Sequence, residues 1–148
     1  MILTIPNPIL RTKVQGVSDY PRKTVKALWE HLLDSDILGL AAPQIGISDR
    51  IILYRGIPFI NPIIIDRSDQ MAAGREGCKS IPNTLFFVDR PREITVKWTT
   101  YALQEKIEHF IGLEARILQH EIDHLDGILI DEKGDYTNSL DSENEYDR

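Results

Sequence analysis

Apolar residues recur at helical spacing in two segments of the chain. Leu28, Leu32 and Leu33 fall on one side of a helix, which predicts a helix over residues 21 to 35. The segment LEARILQHEIDHL has apolar residues around most of its circumference, which predicts a second helix over residues 113 to 125. A helix that is apolar on most sides is a buried helix, so the second one is expected at the centre of the fold.

Four runs of β-branched and aromatic residues predict short strands. Clusters of Gly, Pro and Asp separate these runs, and no helices alternate with them, so antiparallel pairing is favoured over a parallel sheet. The predicted fold class is α+β, with small antiparallel or mixed sheets wrapped around the central helix and another helix near the N-terminus. The four runs are RIILYR (50–55), FINPIII (59–65), TLFFVD (84–89) and ITVKW (94–98).

The composition suits one folded domain and a polar tail. The chain has 148 residues, 42% of them hydrophobic and 27% charged, which is enough for one continuous core. Its last residues are acidic and almost free of apolar side chains, so they bury too little surface to offset the entropy lost on ordering. We therefore predict a single domain over residues 1–132 and a disordered acidic tail over residues 133–148.

The net charge and the absence of long apolar runs limit the classes of binding partner that we expect. The formal charge is −6 and the pI is about 5.2, whereas a surface for nucleic acid or anionic membrane needs clustered Lys and Arg. No apolar run approaches the roughly 20 residues that span a bilayer, and the N-terminus has no targeting pattern. We expect no nucleic-acid or membrane partner and a cytoplasmic protein.

The central helix has the histidine spacing of a metal site. His120 and His124 stand one turn apart, so both imidazoles can reach one ion, and Glu121 projects beside them within reach of a water on that ion. A surface histidine pair is the alternative, because the HExxH pattern also arises by chance. Burial of the helix favours a metal, since buried ionisable groups are costly unless paired or ligated. His31 and His109 lack this spacing and are expected at the surface or in the core.

A third ligand is needed but is not determined by these residues alone. A catalytic metal takes three protein ligands and keeps one position open. Acidic residues follow the helix, but they fall in the predicted disordered tail. Cys78 is the single cysteine of the chain and is predicted in a glycine-containing turn between strands. A lone cysteine is, however, more often a small buried hydrophobe than a ligand.

Three blocks of sequence, in order, resemble the signature blocks of the peptide deformylase family. They are GLAAPQIG (39–46), EGCKS (76–80) and QHEIDHLDG (119–127), and the similarity extends from NPILR near the N-terminus to about Asp131. The resemblance implies a hydrolase of protein biosynthesis that removes the N-terminal formyl group from formyl-methionyl nascent polypeptides. It also implies one divalent metal ion, Fe(II) physiologically, with Zn(II) or Ni(II) as substitutes.

The resemblance implies a role for each chemical group of the site. Cys78 becomes the third metal ligand beside the two helix histidines, and its thiolate suits iron or zinc better than magnesium or calcium. Glu121 is implied as general acid and base, taking a proton from the metal-bound water as hydroxide attacks the formyl carbon. The side-chain amide of Gln44 and the backbone N–H of Lys79 are implied as donors to the oxyanion.

Apolar and glycine residues near these groups are candidates for binding the substrate. Leu38, Leu113 and Ile117 are expected to line an apolar pocket for the methionine side chain. The backbone at Leu38, Gly39 and Gly77 is expected to bind the peptide as an added strand. Little selectivity is expected beyond the methionine, because backbone pairing does not read side chains.

The chain departs from the family pattern at two positions. Lys79 stands where leucine is common; it keeps the backbone donor, and its charged side chain is expected either to extend into solvent or to alter which residues are accepted beyond the methionine. Ile37 stands where glycine is common, and because isoleucine disfavours positive φ, it predicts an extended loop or a reshaped substrate entrance. Neither change removes a ligand or the base. Glu76, Arg90 and Asp123 are candidates for orienting the ligands, with ordinary surface ion pairs as the alternative.

The polar end of the chain resembles that of compact phage-encoded members, which lack the bacterial C-terminal helix. We expect an active core without a helical ribosome anchor, monomeric, in the host cytoplasm if phage-encoded. Two alternative functions remain at this point: a zinc endopeptidase, and an inactive module that binds formyl-Met peptides.

Overall fold

A computed structural model describes residues 1–16, 19–33 and 37–137. No helix in these ranges is long and apolar enough to cross a membrane. Two 3-10 helices, at Pro8–Arg11 and Ala42–Ile45, accompany the regular elements. The strands are β1 (Gly39–Ala41), β2 (Ile51–Tyr54), β3 (Ile57–Arg67), β4 (Met71–Cys78), β5 (Ile81–Pro91), β6 (Glu93–Thr99), β7 (Glu105–Ile111) and β8 (Gly134–Thr137), and the α-helices are α1 (Pro21–Leu32), α2 (Gly112–Leu125) and α3 (Ile130–Lys133).

The strands form two antiparallel sheets. The larger sheet has the order β1-β2-β3-β6-β7 and the smaller one has the order β4-β5-β8. Every strand pair in the part of the chain that the structure describes is antiparallel. The predicted α+β class, with antiparallel sheets around a central helix, is confirmed.

Helix α2 lies between the two sheets. Its apolar residues pack on the larger sheet in one core cluster, in which Ile117, Leu118 and Leu125 are fully buried. Each of these side chains stabilises the fold by about 1.5–3 kcal/mol through removal of its apolar surface from water. The opposite side of α2 carries polar residues toward the smaller sheet: Arg116 donates to Val88 O, and His120 bonds to Glu76. The polar residues of α2 therefore lie between the apolar core and the smaller sheet.

Helix α1 covers the other face of the larger sheet. Val25 and Leu28 are fully buried against Leu40 and Leu53, which point away from α2 because side chains alternate along a strand. In strand β1, Leu40 therefore faces α1, whereas Gly39 and Ala41 on either side of it face α2.

Helix α2 begins at Gly112, one residue before its predicted start, and its C-terminal end is at the predicted residue. The helix ends at Leu125, with Asp126 as C-cap and Gly127 at a φ of 70° just beyond it. A left-handed residue at this position commonly closes a helix, and glycine adopts it without strain. Arg50 donates to Leu125 O at 3.0 Å and to the carboxylate of Asp126, which satisfies groups left open at the helix end.

Helix α1 and the chain end differ from the prediction. The helix stops at Leu32 and Leu33 is in a turn, while residues 34 to 36 lie outside the described residues. The predicted disordered tail from residue 133 is wrong for its first part, because α3 includes Lys133 and β8 follows directly. Strand β8 pairs with β5 through backbone groups, so it needs no apolar side chains. The rest of the predicted tail, residues 138–148, lies outside the described residues.

Four of the described strands, β1, β4, β7 and β8, were not among the runs predicted from the sequence. Strand β4 reads MAAGREGC and is rich in small residues with low β propensity, but its pairing with β5 overrides that preference. Strand β7 is the outer strand of the larger sheet and is mostly exposed and charged, as edge strands commonly are. Cys78 is consequently the last residue of β4, and its predicted position in a turn is wrong.

Candidate metal centre

Three buried side chains converge at the end of β4. The ligand atoms of Cys78, His120 and His124 all lie within 4.8 Å of one another. The Sγ atom of Cys78 is 3.4 Å from Nε2 of His124, and the two imidazole rings have centroids 5.3 Å apart. The cysteine is 6% exposed and the histidines are 3% and 1% exposed. The sequence thus identified three residues that the fold brings together.

A helix and a strand supply these side chains side by side. His120 and His124 lie one turn apart on α2, and the register of β4 with β5 shifts between Gly77 and Cys78. Such a shift bends a strand and re-aims its side chains. The extra residues, 82–84, are on β5, while Cys78 ends β4 with its thiol 3.4 Å from Nε2 of His124 on the helix.

The tautomer of His120 is fixed by a carboxylate. Nδ1 of His120 lies 2.9 Å from Oε1 of Glu76, which is completely buried. A carboxylate accepts hydrogen bonds, so Nδ1 carries the proton and the lone pair of Nε2 is directed toward the ligand cluster. This is the arrangement that orients histidine ligands in metal sites. It supports the predicted orienting role of Glu76.

Glu76 is itself held by two buried arginines. Arg90 makes two hydrogen bonds to its carboxylate, at 2.6 and 2.9 Å, and Arg116 makes one at 2.6 Å. Burial raises the pKa of Glu76, but hydrogen bonds from His120 and Arg90 and the charge of Arg90 outweigh it and hold that pKa well below its usual value. The carboxylate is therefore ionised and remains a strong acceptor for His120.

Asp123 completes this network at its outer end. It accepts from Arg90 at 2.8 Å. Its pKa is nevertheless raised, because burial disfavours the charged form more than the charge of Arg90 favours it. Arg90 therefore bridges two carboxylates of different acidity. The predicted set of Glu76, Arg90 and Asp123 forms one cluster, and the alternative of ordinary surface ion pairs does not apply.

Arg116 was missed by the sequence reasoning. It lies one turn before His120, it is 4% exposed, and it also donates to the carbonyls of Ala72 and Val88. An arginine one turn from a predicted ligand, on a helix expected to be buried, is the signal that could have found it. Such a charge requires a buried carboxylate partner.

Glu121 lies against the edge strand β1. It is 2% exposed, and a Cβ atom added to Gly39 would lie 2.5 Å from its Oε2 atom and 2.8 Å from its Cγ atom. Real Cβ contacts are not this short, so only glycine leaves room for the carboxylate. Gly39 is thereby a neighbour of the predicted base as well as a predicted backbone contact for substrate.

The side chain of Gln44 also reaches the cluster. It is 3% exposed, its Oε1 accepts from the Ala41 N–H at 3.0 Å, and its Nε2 lies 3.9 Å from Sγ of Cys78. The amide therefore presents N–H groups, not its oxygen, toward the ligands. Donors of this kind can stabilise negative charge that develops beside a metal.

The other predicted site residues are more dispersed. Gly77 is buried in β4 and Lys79 is exposed directly after Cys78. Leu38 is half-buried against the α2 core cluster, Ile117 is completely buried inside that cluster, and Leu113 is 37% exposed in the first turn of α2.

Ile37 and the two remaining histidines lie away from the ligand cluster. Ile37 is half-buried and packs in the core beneath α1, which explains an apolar residue there. His31 lies in α1 with Nδ1 2.8 Å from Ala27 O. His109 is exposed on β7 with Nε2 2.9 Å from Oε1 of Glu93. Neither histidine belongs to the group that could hold a metal.

The donor set fits a transition-metal ion. One thiolate and two imidazoles form the S/N/N combination that iron and zinc bind, whereas magnesium and calcium prefer oxygen donors. Three protein ligands leave a fourth position for water or substrate, which distinguishes a catalytic site from a closed structural one. The residues present can therefore hold a divalent cation and perform hydrolysis beside it.

Comparisons with known proteins agree with this chemistry. The family model described as polypeptide deformylase matches residues 1–139. The peptide deformylase of Pseudothermotoga lettingae is 40% identical over 134 residues, covering 86% of this chain and 78% of the relative. The peptide deformylase of Natranaerobius thermophilus is 40% identical over 135 residues, covering 86% of each chain.

Solved structures show the same fold. The actinonin-bound peptide deformylase of Acinetobacter baumannii is 33% identical, with a TM-score of 0.83 over 89% of this chain and 95% of that one. A probable peptide deformylase from Synechococcus phage S-SSM7 is 34% identical, with a TM-score of 0.83, and the match covers 90% of this chain and 98% of that one. These matches do not support the endopeptidase or the inactive binding module. The chain belongs to the peptide deformylase family and is a metal-dependent hydrolase that removes the formyl group from N-terminal formyl-methionine.

Proposed function

We propose that Cys78, His120 and His124 hold one divalent cation, Fe(II) in the cell, and that the formyl group is hydrolysed beside it. The observation that carries this proposal is the convergence of three buried donors within 4.8 Å. A cation held there would act as a Lewis acid toward the formyl carbonyl and toward water. The ionised Glu76 supports the same proposal, because it keeps the proton of His120 on Nδ1.

Glu121 is the proposed general acid and base. It follows a ligand directly in the sequence and is buried against Gly39, so its carboxylate is confined near the reacting atoms. It takes the proton from the attacking water and returns it to the amine nitrogen as the C–N bond of the formamide breaks. The products are formate and a free methionine N-terminus.

Gln44 and the backbone N–H of Lys79 are the proposed donors to the oxyanion. The orientation of the Gln44 amide, with Oε1 bound to Ala41 and Nε2 near Cys78, supports this role for its side chain. Lys79 follows Cys78 directly and is exposed, so its backbone lies beside a ligand while its side chain extends to solvent. Losing one such donor typically lowers kcat by about 10²–10³-fold.

The nascent chain is proposed to bind along β1. This strand is at the edge of the larger sheet, so the backbone of Leu38 and Gly39 can pair with an added strand. Leu38, Leu113 and Ile117 remain the proposed contacts of the methionine side chain, with Gly77 facing the peptide from β4. The full burial of Ile117 limits it to the floor of such a pocket.

Formate release from formyl-Met-Ala by the iron- or zinc-loaded protein tests the function. The wild type should release formate, and Glu121→Gln should retain the metal while losing about 10²–10⁴-fold in kcat. Glu108→Gln removes an exposed carboxylate from β7 and serves as the matched control, with unchanged activity expected. A wild type that produces no formate, or a Glu121→Gln variant with full activity, would contradict the proposal.

A further inference from the structure

Ser80 connects the two proposed oxyanion donors. It is fully buried and follows Lys79 directly, and its Oγ atom lies 3.2 Å from Nε2 of Gln44. The same hydroxyl lies 2.8 Å from the carbonyl oxygen of Leu3. No part of the mechanism above uses this residue.

The direction of these hydrogen bonds is fixed by chemistry. A carbonyl oxygen only accepts, so the Ser80 proton goes to Leu3 O and the lone pairs of the hydroxyl are left to accept from Gln44. At the other end of the amide, the Ala41 N–H only donates, so it requires Oε1 of Gln44. A flipped Gln44 amide would place its NH2 group against the Ala41 N–H, two donors facing each other, and its oxygen against the Ser80 hydroxyl oxygen, two acceptors facing each other. The remaining Nε2 hydrogen is thus free to face Cys78.

The N-terminal segment, residues 3–5, also bonds to the backbone of Gln44 and Ser80. The Leu3 N–H donates to Gln44 O at 2.7 Å, and the Ile5 N–H donates to Ser80 O at 2.9 Å. The segment therefore bonds to the loop that carries Gln44 and to the turn that carries Ser80. The relative position of the two loops is fixed by these bonds and by the Ser80 hydroxyl.

We infer that Ser80 is a positioning residue for catalysis: its hydroxyl, bonded to Leu3 O, keeps an N–H of Gln44 directed at the reacting carbonyl oxygen. This inference rests on the proposed function of Gln44. Because the hydrogen bond acts on the orientation of a transition-state donor, its loss lowers kcat and leaves substrate binding nearly unchanged. One neutral hydrogen bond of this kind corresponds to about a three- to tenfold loss of kcat.

The test compares four variants of the zinc-loaded protein on formyl-Met-Ala. Ser80→Ala should lower kcat by about three- to tenfold with KM within about twofold. In a Gln44→Ala background, the same change should cause no further loss, because the two residues act as one unit. Ser68→Ala removes a half-buried hydroxyl that bonds only to backbone groups of Gln70 and Glu93, outside the site described above, and should leave both constants unchanged.

A second measurement keeps the inference testable if Ser80→Ala folds poorly. In the zinc-loaded wild type, NMR should show slow solvent exchange for a side-chain amide proton of Gln44, since that proton is bonded to a buried hydroxyl. Rapid exchange of both protons would overturn the inference. Two kinetic results from an active wild type would also overturn it. One is a Ser80→Ala variant that keeps full kcat, and the other is a double variant whose loss of kcat equals the combined losses of the Ser80→Ala and Gln44→Ala variants. A wild type that releases no formate would instead overturn the proposed function itself.

Discussion

Replacing Glu76 by glutamine removes one charge from a buried ionic cluster. Glu76 is fully buried, and the side chains of Arg90 and Arg116 that bond to it are 4% and 5% exposed. The substitution preserves shape but leaves two buried guanidinium charges with one carboxylate fewer. Breaking a buried ionic pair in this way destabilises a protein by about 3–5 kcal/mol. That is a large part of the about 5–15 kcal/mol that stabilises a typical domain.

The assay is urea unfolding of the metal-free protein, followed by tryptophan fluorescence. Metal is left out because its binding to the folded state would add its own contribution to the free energy of unfolding. In a separate titration, competition with a chelator should show a zinc affinity about 10–100-fold weaker in Glu76→Gln, because His120 loses the acceptor that fixes its tautomer.

Glu105→Gln is the matched control. Its carboxylate lies 3.4 Å from Nζ of Lys97, but the two side chains are 63% and 42% exposed, so the expected change is below about 0.5 kcal/mol. The reasoning is refuted if Glu76→Gln changes the free energy of unfolding by less than about 1 kcal/mol, or if the two variants are equally destabilised.

Three further predictions concern other parts of the structure. Gly39→Ala should lower kcat by about 10²-fold, since the added methyl group displaces the Glu121 carboxylate, and formate release within twofold of wild type would contradict the contact. Removal of bound zinc should lower the free energy of unfolding by about 2.7 kcal/mol relative to protein at 100 times the dissociation constant, measured by thermal unfolding, and an unchanged melting temperature would contradict the site. Asp131→Asn should lower the free energy of unfolding by up to about 1 kcal/mol at pH 7, because Arg11 bonds to both carboxylate oxygens of a partly exposed pair. The hydrogen bond from Arg11 lowers the pKa of Asp131 in the folded state, so this stabilisation is complete above the unfolded pKa of about 3.9 and is lost as the pH falls below it, and a difference that persists at pH 2 in urea titrations would refute the assignment.

The helix chemistry was predictable because it is local. The spacing of His120 and His124 and the end of the helix at Leu125 depend on one stretch of fourteen residues, and the structure has both as predicted. Cys78 lies 46 residues from its neighbour His124, so geometry within the sequence could not assign it. Only the resemblance of three ordered blocks suggested that ligand, and the fold brings its thiol to the histidines.

What could not be predicted depends on contacts between distant elements. Strand β4 has weak intrinsic preference and exists because β5 pairs along its whole length. Arg116 was not predicted as a site residue, because the carboxylate that neutralises it comes from another element, strand β4. Strand β8 was read as disordered because its stabilisation comes from backbone bonds to β5, which leave no hydrophobic pattern in the sequence.

The alignment of β4 with α2 has a consequence for misfolding. Residues two apart on a strand and four apart on a helix advance by similar distances, about 6.6 Å and 6 Å, so Glu76 meets His120 while Cys78 meets His124. A slip of β4 by one position would turn both side chains to the opposite face of the sheet. A molecule with that error would lack the three converging ligands, so at saturating metal the bound fraction reports the fraction of molecules whose β4–β5 hairpin is correctly aligned.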